Sequence, residues 1–146
     1  PTNMLSQTAQ FSKETDGLID VVAAKKFAKN IKSKYSKEKF WFSNETNLLR
    51  LCLMYIVGGI YMDTDIIWIR PLPSTIDDVA GQEDAATGTI NGALLKFTSS
   101  KNLYIAKAMN AFFREYNGNI WGNNGPQLLT RTAKNYPELV CHGSDF

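Results

Sequence analysis

The sequence predicts an α/β fold, from two observations. The first is a set of helical patterns: Leu18, Val21, Val22, Ala24, Ala28 and Ile31 recur at helical spacing, and the stretches 47–57 and 101–116 repeat the behaviour. The second is that short strand-like runs, Ile60-Tyr61-Met62 and Asn91–Phe97, fall between those helices, the order expected of α/β proteins. A length of 146 residues holds one domain, and 44% apolar with 21% charged residues excludes the disordered and fibrous classes.

In chain order, residues 1–16 read as a loop or linker, with Leu5 and Phe11 the only sizeable anchors. A helix over 17–34 follows, broken at Ser36–Glu38. Its lysines, with Lys25, Lys26, Lys29, Lys32, Lys34, Lys37 and Lys39 close together, could form a phosphate-facing stripe. The apolar residues interleaved at helical spacing make them instead the wet side of one amphipathic helix, so no nucleic-acid partner is expected. Phe40-Trp41-Phe42 is either a buried strand or a segment pressed on the core.

Thr46 is placed to cap a helix over 47–57, and Gly58-Gly59 to end it. Leu48, Leu49, Leu51, Leu53, Met54, Ile56 and Val57 make that helix apolar on nearly every side, which predicts a central one. Asn47 and Arg50, three apart, share a face. A buried arginine needs a partner, a bound anion or a nearby carboxylate. After Asp63-Thr64-Asp65, Ile66–Ile69 resumes a strand-like pattern until Pro71 and Pro73 stop it. Residues 74–88 are acidic and turn-rich. Ser99 or Ser100 can cap the helix over 101–116, whose dry side includes Leu103, Met109, Phe112 and Phe113, and Asn117-Gly118 ends it. Trp121–Pro126 is a compact loop, and Pro126 suits the first helical position of a segment over 127–134.

The net charge of +2 is uneven: residues 1–50 hold nine bases against five acids, and 51–146 hold seven against nine. Cys52 and Cys141 are too few for a disulfide scaffold and too far apart for a Cys-x-x-Cys metal pair. Cys52 reads as a buried small hydrophobe. The single histidine, His142, excludes histidine-rich zinc chemistry and is expected to face solvent. No run reaches the 18 apolar residues of a membrane span, and the first residues lack a signal-peptide layout. One sequon, Asn44-Glu45-Thr46, matters if the protein enters the secretory pathway.

The chemistry gathers at Asp63 and Asp65. A helix, a glycine turn and a short strand put both at a strand's carboxyl end, where open α/β sheets bind ligands, and strand alternation would point both to one side. Paired carboxylates suit Mg²⁺ or Mn²⁺, with phosphate oxygens completing the shell. Aspartyl-phosphate phosphatases also carry Asp-x-Asp after a strand, but they need a hydroxyl where this chain has Ile67. A third reading pairs the aspartates with Arg50 or Arg70 in a binding or scaffolding domain.

The block from Asn47-Leu48-Leu49-Arg50 through Gly58-Gly59-Ile60-Tyr61-Met62-Asp63-Thr64-Asp65 resembles the sugar-nucleotide-binding region, with its Asp-x-Asp motif, of Golgi glycosyltransferases. Asn91-Gly92-Ala93 and Trp121-Gly122-Asn123-Asn124-Gly125-Pro126-Gln127-Leu128-Leu129-Thr130-Arg131 are similar to the conserved region of the alpha-1,4-glycosyltransferases. The resemblance spans about residues 40–141 and divides the chain into a donor-binding region over 17–100 and a partial acceptor-side region over 101–146.

It implies a partial domain of GT-A type, a central mixed sheet flanked by helices, carrying out retaining α-1,4 transfer of a hexose or N-acetylhexosamine from a UDP-sugar. The implied cofactor is Mn²⁺ or Mg²⁺, and the acceptor a glycan or glycolipid. It also implies a Golgi-lumenal, type II membrane protein anchored through a segment outside these residues, with the Asn44 sequon used. Asp65 would ligate the metal directly, and Asp63 would touch the metal shell and the donor. Arg50 would steady the donor sugar or its phosphates. Tyr61, Asn91, Asn124 and Gln127 match positions around the donor or acceptor. The family has Ser-Asp where this chain has Thr46-Asn47, so Asn47 loses the charge that would accept strongly from two sugar hydroxyls. Either a different donor, such as an N-acetylated sugar, or a weak or inactive sugar-binding relative follows from that change. Trp121 could stack on or cover a sugar, or simply anchor its loop to the core.

Overall fold

The structure is a computed structural model that describes residues 16–67, 69, 71 and 76–143. The linker expected before Asp16, Trp68, Arg70, Pro73 and the side chain of His142 lie outside the described residues.

Helix α1 is Val21–Ile31, shorter than 17–34 because Asp20 caps it, accepting from the Ala23 amide at 2.9 Å. Lys26, Lys29, Lys32, Lys34, Lys37 and Lys39 are exposed, as expected of a wet face. Phe27, 3% exposed, is the apolar anchor of α1. It stacks on Tyr35 at 4.9 Å and meets Phe112 and Tyr116 edge-on at 5.5 and 5.1 Å.

Helix α2 is Trp41–Val57, so it starts six residues ahead of the predicted Asn47. Thr46 does not cap it; its hydroxyl donates back to the Ser43 carbonyl at 2.8 Å, inside the helix. The aromatic run is neither strand nor wholly buried. Phe40 packs edge-on to Trp121 at 5.5 Å, Trp41 faces Tyr116 at 6.4 Å, and Phe42 is 79% exposed. Nor is α2 buried all round. Leu51, Met54 and Tyr55 enter the core, while Leu49, Leu53, Ile56 and Val57 are 53–70% exposed and form an apolar outer face. Asn44 is 2% exposed and donates to the Tyr116 hydroxyl at 3.4 Å, so the sequon asparagine lies inside the fold.

Gly58, at φ 70°, ends α2, and any side chain there would collide with backbone of Phe97, Ser99 and Ser100 at 2.9–3.0 Å. That close approach turns the chain directly into β1, Gly59–Met62. The sheet continues with β2, Val79–Asp84, and β3, Thr89–Phe97, and closes with β4, Cys141–Gly143. Its order is β1-β3-β2-β4, antiparallel except for the parallel β2–β4 pair. Strand β2 lies in the stretch expected to be turns, and β4 is also unforeseen. Ile66, Ile67 and Ile69 are not in a strand; Ile67 and Ile69 are 85% and 97% exposed.

Helix α3, Leu103–Glu115, is capped by Asn102, not by a serine: its side chain accepts from the Tyr104 and Ile105 amides at 2.9 and 3.3 Å. Tyr104 is fully buried, stacks on Phe97 at 5.7 Å, and donates to the Leu129 carbonyl at 2.9 Å, tying α3 to the sheet and to α4. Helix α4, Pro126–Asn135, begins with its proline as predicted. Thr130 fixes it to β3 by accepting from the Ile90 amide at 2.9 Å. Cys52 is half-buried, so burial pushes its thiol up, and both cysteines are free. Among the described residues no helix is long and apolar enough to cross a membrane.

Candidate functional site

Ser43, Asn47 and Arg50 fall at i, i+4 and i+7 on α2 and so share one face. The Arg50 side chain is 14% exposed, and its Nη2 donates to Asp63 at 2.8 Å to Oδ1 and 3.1 Å to Oδ2. Nη1 donates to Asn47 Oδ1 at 2.9 Å. The guanidinium carbon lies 4.8 Å from the centre of the Tyr61 ring, and the Tyr61 hydroxyl donates to Asp63 Oδ1 at 2.7 Å. Asn47 thus still binds Arg50 as a neutral acceptor, while the carboxylate that balances the charge is Asp63. Arg50 Nε is buried and has no hydrogen-bond partner among the described residues. An unmatched buried donor costs about 1–3 kcal/mol, a cost that an anionic or water oxygen would remove.

The strands build the seat for this arginine. Between Ala80↔Leu95 and Gln82↔Ile90, a step of two residues on β2 faces a step of five on β3. The surplus chain bulges and brings Asn91 and Gly92 to α2. A Cβ on Gly92 would lie 2.8 Å from Arg50 Nη1, and one on Gly125 would lie 2.5 Å from Asn47 Nδ2, so both glycines leave room for the pair. Asn91 Oδ1 accepts from the Ala93 amide at 3.0 Å, and the Ala93 carbonyl accepts from Asp63 N at 2.8 Å, fixing Asp63 against the bulge.

An open cavity of about 310 Å³ lies over these groups, lined by Asn47, Arg50, Asp63 and Asn91. Tyr61 reaches it through Asp63. Asp65 does not line it: β1 ends at Met62, the chain turns with Ile66 N on Asp63 O at 3.1 Å, and alternation stops short of Asp65. The Asp65 carboxylate is exposed and makes no hydrogen bond or ion pair with the described residues. Among those residues no three His, Cys, Asp or Glu converge as a ready metal site. Asn124 is 1% exposed and committed to Asn117, accepting from its amide at 3.0 Å and donating to its carbonyl at 2.7 Å. Gln127 is exposed and off the cavity lining. Sequence reasoning missed Ser43 and Glu83, which do line it. An earlier start for α2 would have revealed Ser43, one turn before Asn47.

A model of the glycosyltransferase sugar-binding region containing the DXD motif matches residues 3–86, more than half of the chain. The chain belongs to that glycosyltransferase family. The alpha 1,4-glycosyltransferase conserved region matches residues 97–145 of this glycosyltransferase-family chain. Its relatives include the human alpha-1,4-N-acetylglucosaminyltransferase, 35% identical over 76% of the chain and 30% of the relative. The human lactosylceramide 4-alpha-galactosyltransferase is 41% identical over 60% of the chain and 24% of the relative. The match thus spans less than a third of either protein. No solved structure matches the chain.

Proposed function

We propose that these residues form the donor-diphosphate site of a glycosyltransferase that moves a hexose or N-acetylhexosamine from a UDP-sugar onto a glycan or glycolipid. The observation that carries the reading is the half-buried Arg50, held by Asp63, Asn47 and the Tyr61 ring at the wall of an open cavity, with one buried donor unmatched among the described residues. Arg50 holds positive potential where a diphosphate would sit, and its fixed position spares reorganisation as negative charge grows on the leaving group. Tyr61 and Asp63 hold the guanidinium at the strand end, and Asn91 offers a neutral hydrogen-bonding group on the same cavity wall.

The donor set fits a hard divalent cation. Asp65 makes no bond with the described residues and Asp63 stands two residues away, so these two would hold Mn²⁺ or Mg²⁺, with phosphate and water oxygens making up the shell. Such an ion supplies charge neutralisation of the diphosphate leaving group. A GT-A type fold, retaining α-1,4 transfer, and residence in the Golgi lumen behind an anchor outside these residues complete the reading, supported by the two matching family regions and by the relatives' names.

A second reading has an observation of its own. Asp63 Oδ1 already accepts from both Arg50 and Tyr61, and Asn47 adds no charge, which favours a weak or inactive sugar-nucleotide-binding relative. Calorimetric titration of UDP with and without Mn²⁺, on the chain and on Asp65→Ala, tests both. Mn²⁺-dependent binding lost in the variant supports the donor site; binding indifferent to Mn²⁺ and to Asp65 favours the second reading; absence of UDP binding removes both.

A further inference from the structure

The outer face of α2 is an apolar surface that the site does not use. With about 100° of turn per residue, Phe42, Leu49, Leu53 and Ile56 lie within roughly 40° of the pole opposite the buried Leu51. They are 79%, 55%, 53% and 70% exposed, and Val57 beside them is 69% exposed. None of the five lines the cavity. With Thr46 the first four step along the helix as 42, 46, 49, 53 and 56, the alternating spacing of four and three that makes a coiled-coil seam. A helix apolar on two opposite sides is suited to lie between two layers, and on its outer side α2 has only solvent.

Area and symmetry decide what the second layer is. The five side chains leave roughly 500 Å² of apolar surface uncovered, toward the upper end of the 300–600 Å² typical of a monomer's largest patch. A standard interface takes about 800 Å² from each partner, and homodimer interfaces are about 65% apolar, so one side needs roughly 500 Å² of apolar area. The seam is also self-complementary. A twofold axis level with Leu51 lays two α2 helices antiparallel, with Leu49 of one protomer against Leu53 of the other. Glu45 and Arg50 are the charged residues of α2, and Arg50 turns to Asp63 on the cavity side. The two copies of Glu45 would then stand roughly 18 Å apart along the helices, beyond the screening length of about 8–10 Å.

We infer that the outer face of α2 is the interface of a homodimer of this chain, with Leu49 and Leu53 at its centre. The inference goes beyond the donor reading and stands or falls without it, because no cavity residue lies in the seam. Sedimentation equilibrium of the 146-residue chain between about 1 and 100 µM is expected to show a monomer–dimer equilibrium with a micromolar dissociation constant. Leu53→Lys, which sets two ammonium groups near the axis, should weaken it at least about thirtyfold, and the neutral Leu53→Gln about tenfold. Leu53→Met, and Val22→Lys at a 73% exposed position on α1, should leave it within about threefold.

Leu53 points away from the core, so near-ultraviolet circular dichroism is expected to match wild type in all four variants; Leu53→Gln repeats the test without added charge. Chain that sediments as a monomer at about 100 µM overturns the inference and assigns the face to a different polypeptide segment. A dimer indifferent to both Leu53→Lys and Leu53→Gln overturns it too, as does one broken equally by Val22→Lys. Association that runs on past two copies also overturns it, because a twofold seam closes at the dimer.

Discussion

Replacing Gly92 with alanine tests whether the Arg50 seat is what organises the site. The added methyl would lie 2.8 Å from Arg50 Nη1 and 3.2 Å from its Cδ, with Leu129 Cδ1 at 3.4 Å behind. Ordinary contact with a Cβ begins near 3.4 Å, so the guanidinium must retreat by roughly 0.6 Å. Retreat away from Asp63 would lengthen the 2.8 Å bond to Asp63 Oδ1 to roughly 3.4 Å, past the usual 2.7–3.2 Å range, and so weaken it. A hydrogen bond to a charged group contributes about 1.5–3 kcal/mol, and overpacking alone costs about 1–3 kcal/mol. With the two side chains 14% and 30% exposed, solvent screens part of that. Gly92→Ala is therefore expected to lose about 1–2 kcal/mol in urea unfolding and to weaken UDP about tenfold. A variant within about 0.3 kcal/mol of wild type that binds UDP equally well would refute the reasoning, because Arg50 would then have room that the structure denies it.

Two further outcomes follow from the same geometry. Chain produced in an animal-cell secretory host and isolated folded is expected to carry no glycan at Asn44, since that side chain is 2% exposed and bonded to Tyr116; intact mass reads this directly, and a glycosylated chain that still binds UDP would contradict it. Asp20 is held below its ordinary value first by the Ala23 amide and then by Arg114, so its folded-state pKa is depressed. Asp20→Ala should cost about 1 kcal/mol near neutral pH. The wild-type advantage should be present above the ordinary carboxylate value and disappear as pH falls through the lower folded one. Melting curves of the two proteins that stay equally far apart down to pH 2 would contradict it, because the ionised carboxylate would not be the source.

The parts of the fold that were legible in the sequence are those where one local rule acts alone. Pro126 opens α4 because a first-turn proline loses no bond. Gly58 ends α2 because glycine takes its φ of 70° without strain. The misses come from tertiary context. Trp41 and Phe42 look strand-like in isolation, but Trp41 packs toward Tyr116, 75 positions away in sequence, and that contact admits an earlier helical start. β2 is acidic at its end and turn-rich in composition, so only its pairing with β3 identifies it. Oiliness around α2 predicted burial on all sides, whereas Leu53 and Ile56 stay outside; apolar periodicity reports what could be covered, not what is.

The same distinction explains the site. Arg50 and Asp63 were legible because a buried charge requires a counter-charge, whatever the fold, and the structure supplies it at 2.8 Å. Asp65 was tied to the same face by strand alternation, but that rule holds only as far as the ladder, and the ladder ends at Met62. Beyond the ladder Asp65 makes no bond with the described residues, while Asp63 is bound by two donors. The two aspartates of one motif therefore stand in different chemical states. The one bound by Arg50 and Tyr61 fixes the arginine's position, and the uncommitted one is the better candidate for a first contact with a cation, so substitutions at Asp63 should damage the fold of the site where substitutions at Asp65 remove only its metal response.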